Sequence, residues 1–218
     1  MKELTKGKII KKLLLYIAGI QILALGMMLM VRCDLGVSVG TASYYVFSQR
    51  FTFFSLGVWS YLAHGLVLIL MMVILRKIRL FYLMSFVTSV LLGYSMDFYG
   101  LLLPEKFENM VLRLIFMCVG IVGVALGIAL NYASGLPAAP YDTFSKEISR
   151  HFNWKISKVK TTFDLTCLSI SIVFGFIFFG KIIGIGIGTV VSAFLTGTII
   201  GLFKKLLEQH GLTAEAEG

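Results

Sequence analysis

The sequence predicts an all-α polytopic membrane protein with six transmembrane helices, and three observations lead to this fold class. Of the 218 residues, 58% are hydrophobic and only 14% are charged, whereas soluble domains carry about 45–50% apolar and about 25% charged residues. The mean hydropathy is +0.90. The apolar residues form continuous runs without period-2 alternation, which excludes barrel strands. This composition excludes a soluble enzyme, a disordered chain and a disulfide-stapled secreted module.

Six apolar segments approach the roughly 20 residues that a helix needs to cross a bilayer core of about 30 Å. The first follows five lysines and has no small-residue cleavage site after it, so we expect a retained span rather than a signal peptide. The fifth extends to about Thr161 if Asp164 lies inside the helix. The six segments are Leu13–Val31, Leu56–Leu75, Leu80–Met96, Leu114–Tyr132, Leu165–Gly180 and Ile182–Phe203.

The basic residues predict how these helices are oriented. With the N-terminus placed in the cytoplasm, the inner segments hold fifteen Lys and Arg residues and the outer segments hold five, as the positive-inside rule requires. Both termini are therefore predicted to be cytoplasmic. The net charge of +9 comes from short clusters between apolar runs rather than from one basic stripe, which argues against nucleic-acid binding.

An internal repeat divides the chain into two halves. Residues 26–69 match residues 127–170, and after a three-residue insertion Val87 matches Val191. The predicted organisation is a basic N-terminus (1–12), a first three-helix repeat (13–103), an outer linker (104–113), a second repeat (114–205) and a cytoplasmic tail (206–218). Because each half has three spans, the halves are expected to insert with inverted topology. Inverted repeats are typical of secondary transporters, and duplication without transport is the alternative.

The connections after the first and fourth spans, 36–50 and 137–152, contain short helical patterns. In the second, Phe144, Ile148 and Phe152 recur every four residues after Pro140, a residue that suits a first helical turn. Asp142 is then either an N-cap or a first-turn acid. Two interpretations remain open for each connection. It is either an interfacial helix with its apolar side in the lipid or a re-entrant helix whose N-terminus faces a buried polar site.

Polar side chains inside apolar segments are costly and are candidates for function. We expect a small solute to be bound between the two repeats by Arg32, Asp34, His64, Asn131, Tyr141, Asp142 and Asp164. Structural alternatives exist for most of them. His64 and Asn131 can hydrogen-bond neighbouring helices, Asp164 can pair with Lys160, and Arg32 can pair with Asp34 or Asp97.

Motifs of enzymes are absent from the sequence. It holds no His/Glu metal-ligand motif, no nucleophile elbow and no nucleotide-binding glycine loop. Cys33, Cys118 and Cys167 lack metal-ligand spacing and are interpreted as small core residues. The sequence therefore predicts a protein that is not an enzyme and needs no cofactor or metal.

The residues of the second half resemble a known family. The run from Gly127 to Asp142, the Thr162-Phe-Asp164 turn and the Gly186-Ile-Gly-Thr189 segment resemble signatures of the YczE/YyaS/YitT family of bacterial membrane proteins. Cys33-Asp-Leu-Gly-Val-Ser38 resembles the counterpart in the first half, although Val39 and Thr41 stand where the family often has proline and an acid. The resemblance implies a bacterial inner-membrane protein of two related halves and implies no substrate.

These observations predict a small-solute transporter or permease-like protein in a lipid bilayer. One alternative is the substrate-binding subunit of a multi-subunit vitamin-type importer. The other is a non-transporting accessory protein that binds a biosynthetic or signalling partner through the basic cytoplasmic face at 146–160.

Overall fold

The computed structural model describes residues 6–212, and this part of the chain is helical throughout, apart from short connections. Residues 1–5 and 213–218, which belong to the predicted N-terminal segment and tail, lie outside the described residues. The helices are α1 (Lys6–Cys33), α2 (Val39–Arg50), α3 (Leu56–Leu75), α4 (Leu80–Leu102), α5 (Met110–Ser134), α6 (Pro140–Phe152), α7 (Ile156–Phe179) and α8 (Ile187–Gln209).

Six of these helices, all except α2 and α6, are long and apolar enough to cross a membrane. The predicted fold class, an all-α protein with six spans, is therefore confirmed. Several helices extend beyond their apolar runs. In particular, α7 begins at Ile156, so Asp164 lies inside this helix rather than before it.

The element order repeats along the chain, with a long helix, a short helix and two long helices in each half. Equivalent positions end the first helix of each half in a left-handed conformation, Asp34 with φ 52° and Gly135 with φ 68°. The two residues are separated by the same 101 positions as Gly26 and Gly127 in the sequence repeat.

The helices α1 and α5 cross at glycines, and their contacts follow the repeat. A Cβ atom at Gly26 would lie 2.7 Å from the backbone nitrogen of Val124, and one at Gly127 would lie 2.6 Å from that of Leu23. At the 101-position offset of the repeat, Gly26 corresponds to Gly127 and Leu23 corresponds to Val124. Near the N-terminal half of α1, Gly19 meets Asn131 close to the end of α5. The two helices therefore run antiparallel.

A second pair of contacts is exchanged between the halves. Ser85 of α4 donates a hydrogen bond from Oγ to the carbonyl of Ala138 at 2.7 Å. Thr189 of α8 donates one from Oγ1 to the carbonyl of Val37, also at 2.7 Å. In each case the last long helix of one half holds the segment that precedes the short helix of the other half. These reciprocal contacts are what an approximate two-fold relation between the halves predicts. The inverted repeat itself, with insertion of the halves into the membrane in opposite directions, stays a prediction.

The halves differ at one pair of helices. In the first half, α3 and α4 pack closely, since a Cβ atom at Gly93 would lie 2.6 Å from the carbonyl oxygen of Gly57. In the second half, α7 and α8 share no comparable packing. A Cβ atom at Gly197, the repeat equivalent of Gly93, would meet no atom within 4 Å. The second half therefore lacks the close packing of its last two long helices that the first half has.

The short helix α6 packs its apolar side on protein. Phe144 and Ile148 are buried against Leu68 and Met71 of α3 and Tyr82 of α4. This packing contradicts the interfacial interpretation of 141–152, in which that side of the helix faces lipid. The exposed Phe152 is the one member of the periodic set that does not join this core.

The two ends of the described chain lie side by side. Lys11 Nζ donates a hydrogen bond to the carbonyl of Gly211 at 2.6 Å, which joins the start of α1 to the end of α8. This contact places both ends on the same side of the bundle, as an even number of spans requires. Their position in the cytoplasm stays a prediction.

Candidate solute-binding cavity

A cavity of about 300 Å³ lies in the centre of the bundle, and all eight helices contribute to its wall. The first turns of α2 and α6 both line it. One face of α7 lines it through Ser157, Lys160, Thr161 and Asp164, which have the i, i+3, i+4, i+7 spacing of a helical stripe. The opposite wall is formed by α8 where it diverges from α7.

The cavity lies where the two halves meet. Gly40 in the first turn of α2 and Tyr141 in the first turn of α6 are equivalent in the repeat. They also contact each other, since a Cβ atom at Gly40 would lie 3.3 Å from Cζ of the Tyr141 ring. Equivalent places of the two halves therefore meet beside the cavity.

Two carboxylates and one ammonium group face this space. Lys160 Nζ lies 3.9 Å from Asp142 Oδ1 and 3.9 Å from Asp164 Oδ1. Both distances exceed that of a normal hydrogen bond, about 2.7–3.2 Å. The side chains of Asp142 and Asp164 are 14% and 28% exposed, while that of Lys160 is 42% exposed. One half-exposed lysine is thus shared between two largely buried acids.

Asp142 and Tyr141 owe their places to the start of α6. Pro140 is the first residue of this helix and Ala139 is its N-cap, so Asp142 is a first-turn acid, which the helix dipole stabilises. Tyr141 donates a hydrogen bond from its hydroxyl to Asp164 Oδ1. Burial raises the pKa of Tyr141 well above its usual value, and the charge of Asp164 raises this pKa further. The phenol therefore keeps its proton and acts as the donor.

His64 lines the cavity from α3. It is only 5% exposed, and its Nδ1 atom has no hydrogen-bond partner among the described residues. An unpaired buried polar atom costs about 1–3 kcal/mol, which a bound solute that reaches this nitrogen would recover. The nearest aromatic neighbour is Tyr44, whose ring centroid lies 6.1 Å away in an edge-on arrangement.

Aromatic rings and lysines are stacked beside the carboxylates. Lys160 Nζ lies 4.9 Å from the ring centroid of Tyr141, and Lys146 Nζ lies 3.7 Å from that of Tyr132. Both distances allow cation–π attraction. Burial lowers the pKa of Lys146, and the charge of Asp142 partly opposes this effect. The tyrosine faces of this region therefore attract ammonium groups.

Four of the seven residues predicted to bind a solute come together here: His64, Tyr141, Asp142 and Asp164 line the cavity. Asn131 does not. It is buried at the crossing of α1 and α5, and its Oδ1 atom has no partner among the described residues. The hydrogen bond between helices predicted for Asn131 is therefore not seen for this oxygen. On α1, Gln21 Nε2 donates a hydrogen bond to Ser95 Oγ of α4 at 2.9 Å.

Arg32 and Asp34 lie apart from the cavity, at the C-terminal end of α1. Arg32 Nη2 donates to the carbonyl of Gly100 at 2.6 Å, and Asp34 Oδ2 accepts from Lys106 Nζ at 2.6 Å. Arg113 Nε donates to the carbonyl of Cys33 at 2.6 Å. These bonds join the end of α1 to α4, to the linker before α5 and to the first turn of α5.

The predicted partners of Arg32 are wrong. Asp97 does not pair with Arg32, because α4 continues past Met96 to Leu102 and carries Asp97 on the side that faces α3. There Asp97 Oδ2 accepts from Ser55 Oγ at 2.5 Å and Oδ1 accepts from Gly57 N at 2.9 Å. Asp34 does not pair with Arg32 either, since its ion-pair partners are Lys106 and Arg113.

Sequence reasoning missed several residues of the cavity. The sequence predicts Lys160 only as an ion-pair partner of Asp164 one helical turn away, and it does not predict Tyr132 or Gly40 as lining residues. The repeat held a signal for Gly40, because it aligns with the predicted site residue Tyr141. Tyr132 directly follows Asn131 in the second-half motif.

These features define the class of protein: a polytopic helical membrane protein with a central cavity whose largely apolar wall carries a few ionisable side chains. The chain belongs to DUF6198, a family of unknown function, which it matches over residues 10–205. It is similar to the uncharacterized membrane protein YczE of Bacillus subtilis, with 28% identity over 199 residues that cover 89% of this chain and 86% of YczE.

It is also similar to the uncharacterized protein YyaS of the same organism, with 26% identity over 210 residues that cover 95% of this chain and 99% of YyaS. The resemblance to the family of YczE and YyaS is therefore confirmed. No solved structure matches the chain.

Proposed function

We propose that this protein is a small-solute membrane transporter or permease-like protein of the bacterial inner membrane, and that the cavity is its solute-binding site. The observation that carries the proposal is the set of ionisable groups, Asp142, Lys160, Asp164 and His64, around one cavity between the halves. Ionisable side chains at membrane depth are costly, and they mark solute and ion pathways.

The unequal packing of the two halves supports the same proposal. Transporters with repeated halves expose a central site to one side at a time by moving one helix group against another. Here the contact between α3 and α4 is closed by Gly57 and Gly93, whereas α7 and α8 diverge beside the cavity. The closed and open pairs are equivalent in the repeat, so an exchange of the two arrangements would move the opening to the other side.

The proposal is tested by uptake into vesicles that contain the purified protein. Native mass spectrometry of the detergent-purified protein first identifies a retained metabolite, and uptake of that metabolite is then measured with and without an imposed ion gradient. Saturable uptake that needs the protein supports the proposal. Retention of a metabolite without uptake would instead indicate a substrate-binding subunit. Neither retention nor uptake across a metabolite panel would indicate an accessory protein.

Two glycines of α8 provide a matched pair of variants for this assay. A Cβ atom would meet nothing within 4 Å at either Gly197 or Gly201, so a large side chain is tolerated at both. Only Gly197 lines the cavity. We expect Gly197→Trp to abolish retention and uptake and Gly201→Trp to preserve them. Equal activity of the two variants would contradict the placement of the site.

A further inference from the structure

We infer that the cavity takes a small organic cation with a primary ammonium group, and that the Lys160 ammonium occupies the place of this cation when no solute is bound. The inference rests on the proposed function and names the substrate class of the same site. It starts from the charge of the cavity wall. Two carboxylates, Asp142 and Asp164, line the wall against one lysine, so acids outnumber lysines among the lining side chains. Lys146 does not line the cavity and lies over the ring of Tyr132.

The excess of acid belongs to one half of the protein. In the repeat, Asp142 is equivalent to Thr41 and Asp164 is equivalent to Ala63. The first half therefore contributes no carboxylate at these positions. Among the lining side chains, the carboxylates come from α6 and α7 alone.

The geometry around Lys160 is that of an ammonium site held loosely. Its Nζ atom lies 3.9 Å from both carboxylates and 4.9 Å from the ring centroid of Tyr141. An untethered ammonium group between the same three groups can approach the carboxylates to hydrogen-bond distance, about 2.7–2.9 Å. Because the Lys160 side chain is 42% exposed, it can leave for water when a solute enters.

A separate observation points to a second polar contact for the solute. His64 lines the same cavity and is only 5% exposed, and its Nδ1 atom has no hydrogen-bond partner among the described residues. Lys160 forms no hydrogen bond with it. A solute that carries a polar group beyond its ammonium end can pair with this nitrogen. The inferred ligand is therefore an amine with a short body that spans the cavity.

In this arrangement Lys160 competes with the solute for the same place, so removal of the lysine side chain should strengthen solute binding. The apparent affinity falls in proportion to the fraction of molecules in which the site is available. If Lys160 occupies the site in about nine-tenths of the molecules, Lys160→Gln should raise the affinity about tenfold. If Lys160 only stabilised the fold, or bound an anionic solute, Lys160→Gln would bind the amine no better than the parent protein.

The test is calorimetric titration of the full-length protein in detergent with n-butylammonium, n-butyrate and n-butanol, which share one chain length. We expect n-butylammonium to bind and the other two not to bind. Lys160→Gln should bind n-butylammonium about tenfold more tightly. Asp164→Asn, which keeps an acceptor for Tyr141, should bind it at least tenfold more weakly. Lys158→Gln, an exposed lysine of the same helix, is the matched control and should bind like the parent.

The inference is overturned if n-butyrate binds as well as n-butylammonium, or if Lys160→Gln binds the amine no better than the parent protein. It is also overturned if n-butylammonium binds neither to the parent protein nor to Lys160→Gln. Thermal denaturation of each variant establishes that it is folded. If the protein takes up an anionic or neutral metabolite and Gly197→Trp abolishes this uptake, the inferred ammonium solute is refuted and the transporter proposal stays intact. Uptake that Gly197→Trp leaves unchanged would refute the site itself.

Discussion

Tyr141 donates a hydrogen bond from its hydroxyl to the carboxylate of Asp164, and this bond joins the first turn of α6 to α7. The two residues are 23 positions apart in the sequence. The bond holds the acid that faces the cavity and fixes the position of the short helix against a long one. It therefore links the stability of the second half to the geometry of the candidate site.

We expect Tyr141→Phe to lower the stability of the protein by about 1.5–3 kcal/mol, the usual contribution of a hydrogen bond to a charged group. The measurement is the apparent melting temperature in detergent. Tyr94→Phe is the control, because Tyr94 is 67% exposed on α4 and should melt like the parent protein. Equal melting of Tyr141→Phe and the parent would show that the bond contributes nothing.

The crossing of α1 and α5 predicts a symmetric pair of destabilising variants. Gly26→Val and Gly127→Val each place a side chain against the backbone of the partner helix. Overpacking of this kind costs about 1–3 kcal/mol, and we expect similar losses because the two contacts are equivalent in the repeat. Gly201→Val, in open space on α8, should change the melting temperature little. A loss at only one of the two glycines would argue against the approximate two-fold relation.

The bonds of Arg113 predict a structural role at the end of α1. Arg113→Met removes two donors from the carbonyls of Cys33 and Asp34, and we expect a loss of about 1–3 kcal/mol. Lys106→Met removes an exposed ion pair with Asp34, which contributes only about 0–1 kcal/mol. Thermal denaturation in detergent compares the two. A larger loss of stability in Lys106→Met than in Arg113→Met would contradict the structural role of Arg113.

The predicted topology can be tested by labelling single cysteines in a variant without the native cysteines. Lys158→Cys and Lys204→Cys lie in segments predicted to be cytoplasmic, and Lys106→Cys lies in the predicted outer linker. We expect a membrane-impermeant maleimide to label intact cells only at position 106 and to label opened cells at all three. Labelling of intact cells at 158 or 204 would reverse or refute the orientation.

The short helices show how far sequence periodicity extends. Phe144 and Ile148 predicted an amphipathic helix over 141–152, and α6 covers these residues. Periodicity identifies the apolar side of a helix and is the same whether that side meets lipid or protein. Here the partners, Leu68, Met71 and Tyr82, lie at least 62 positions away in the sequence. Only the folded chain shows that protein covers the apolar side.

The candidate site was partly visible in the sequence. The cost of placing charges in lipid identified His64 and Asp164, and the second-half motif identified Tyr141 and Asp142. The same cost also selected Arg32 and Asp34, which serve the end of α1 instead. An ion-pair partner depends on which way a helix turns its side chains and on where that helix ends. Because α4 continues beyond Met96, Asp97 lies on the side of this helix that faces α3 and does not pair with Arg32.

The sequence by itself determined that this protein is a helical membrane protein with six spans, because the hydrophobic length of a helix is a property of the chain alone. The spacing of the repeat predicted two related halves. The tertiary structure decided which polar residues share a cavity. That outcome depends on the crossing of α1 and α5 and on the divergence of α7 and α8, both of which arise from contacts between distant segments.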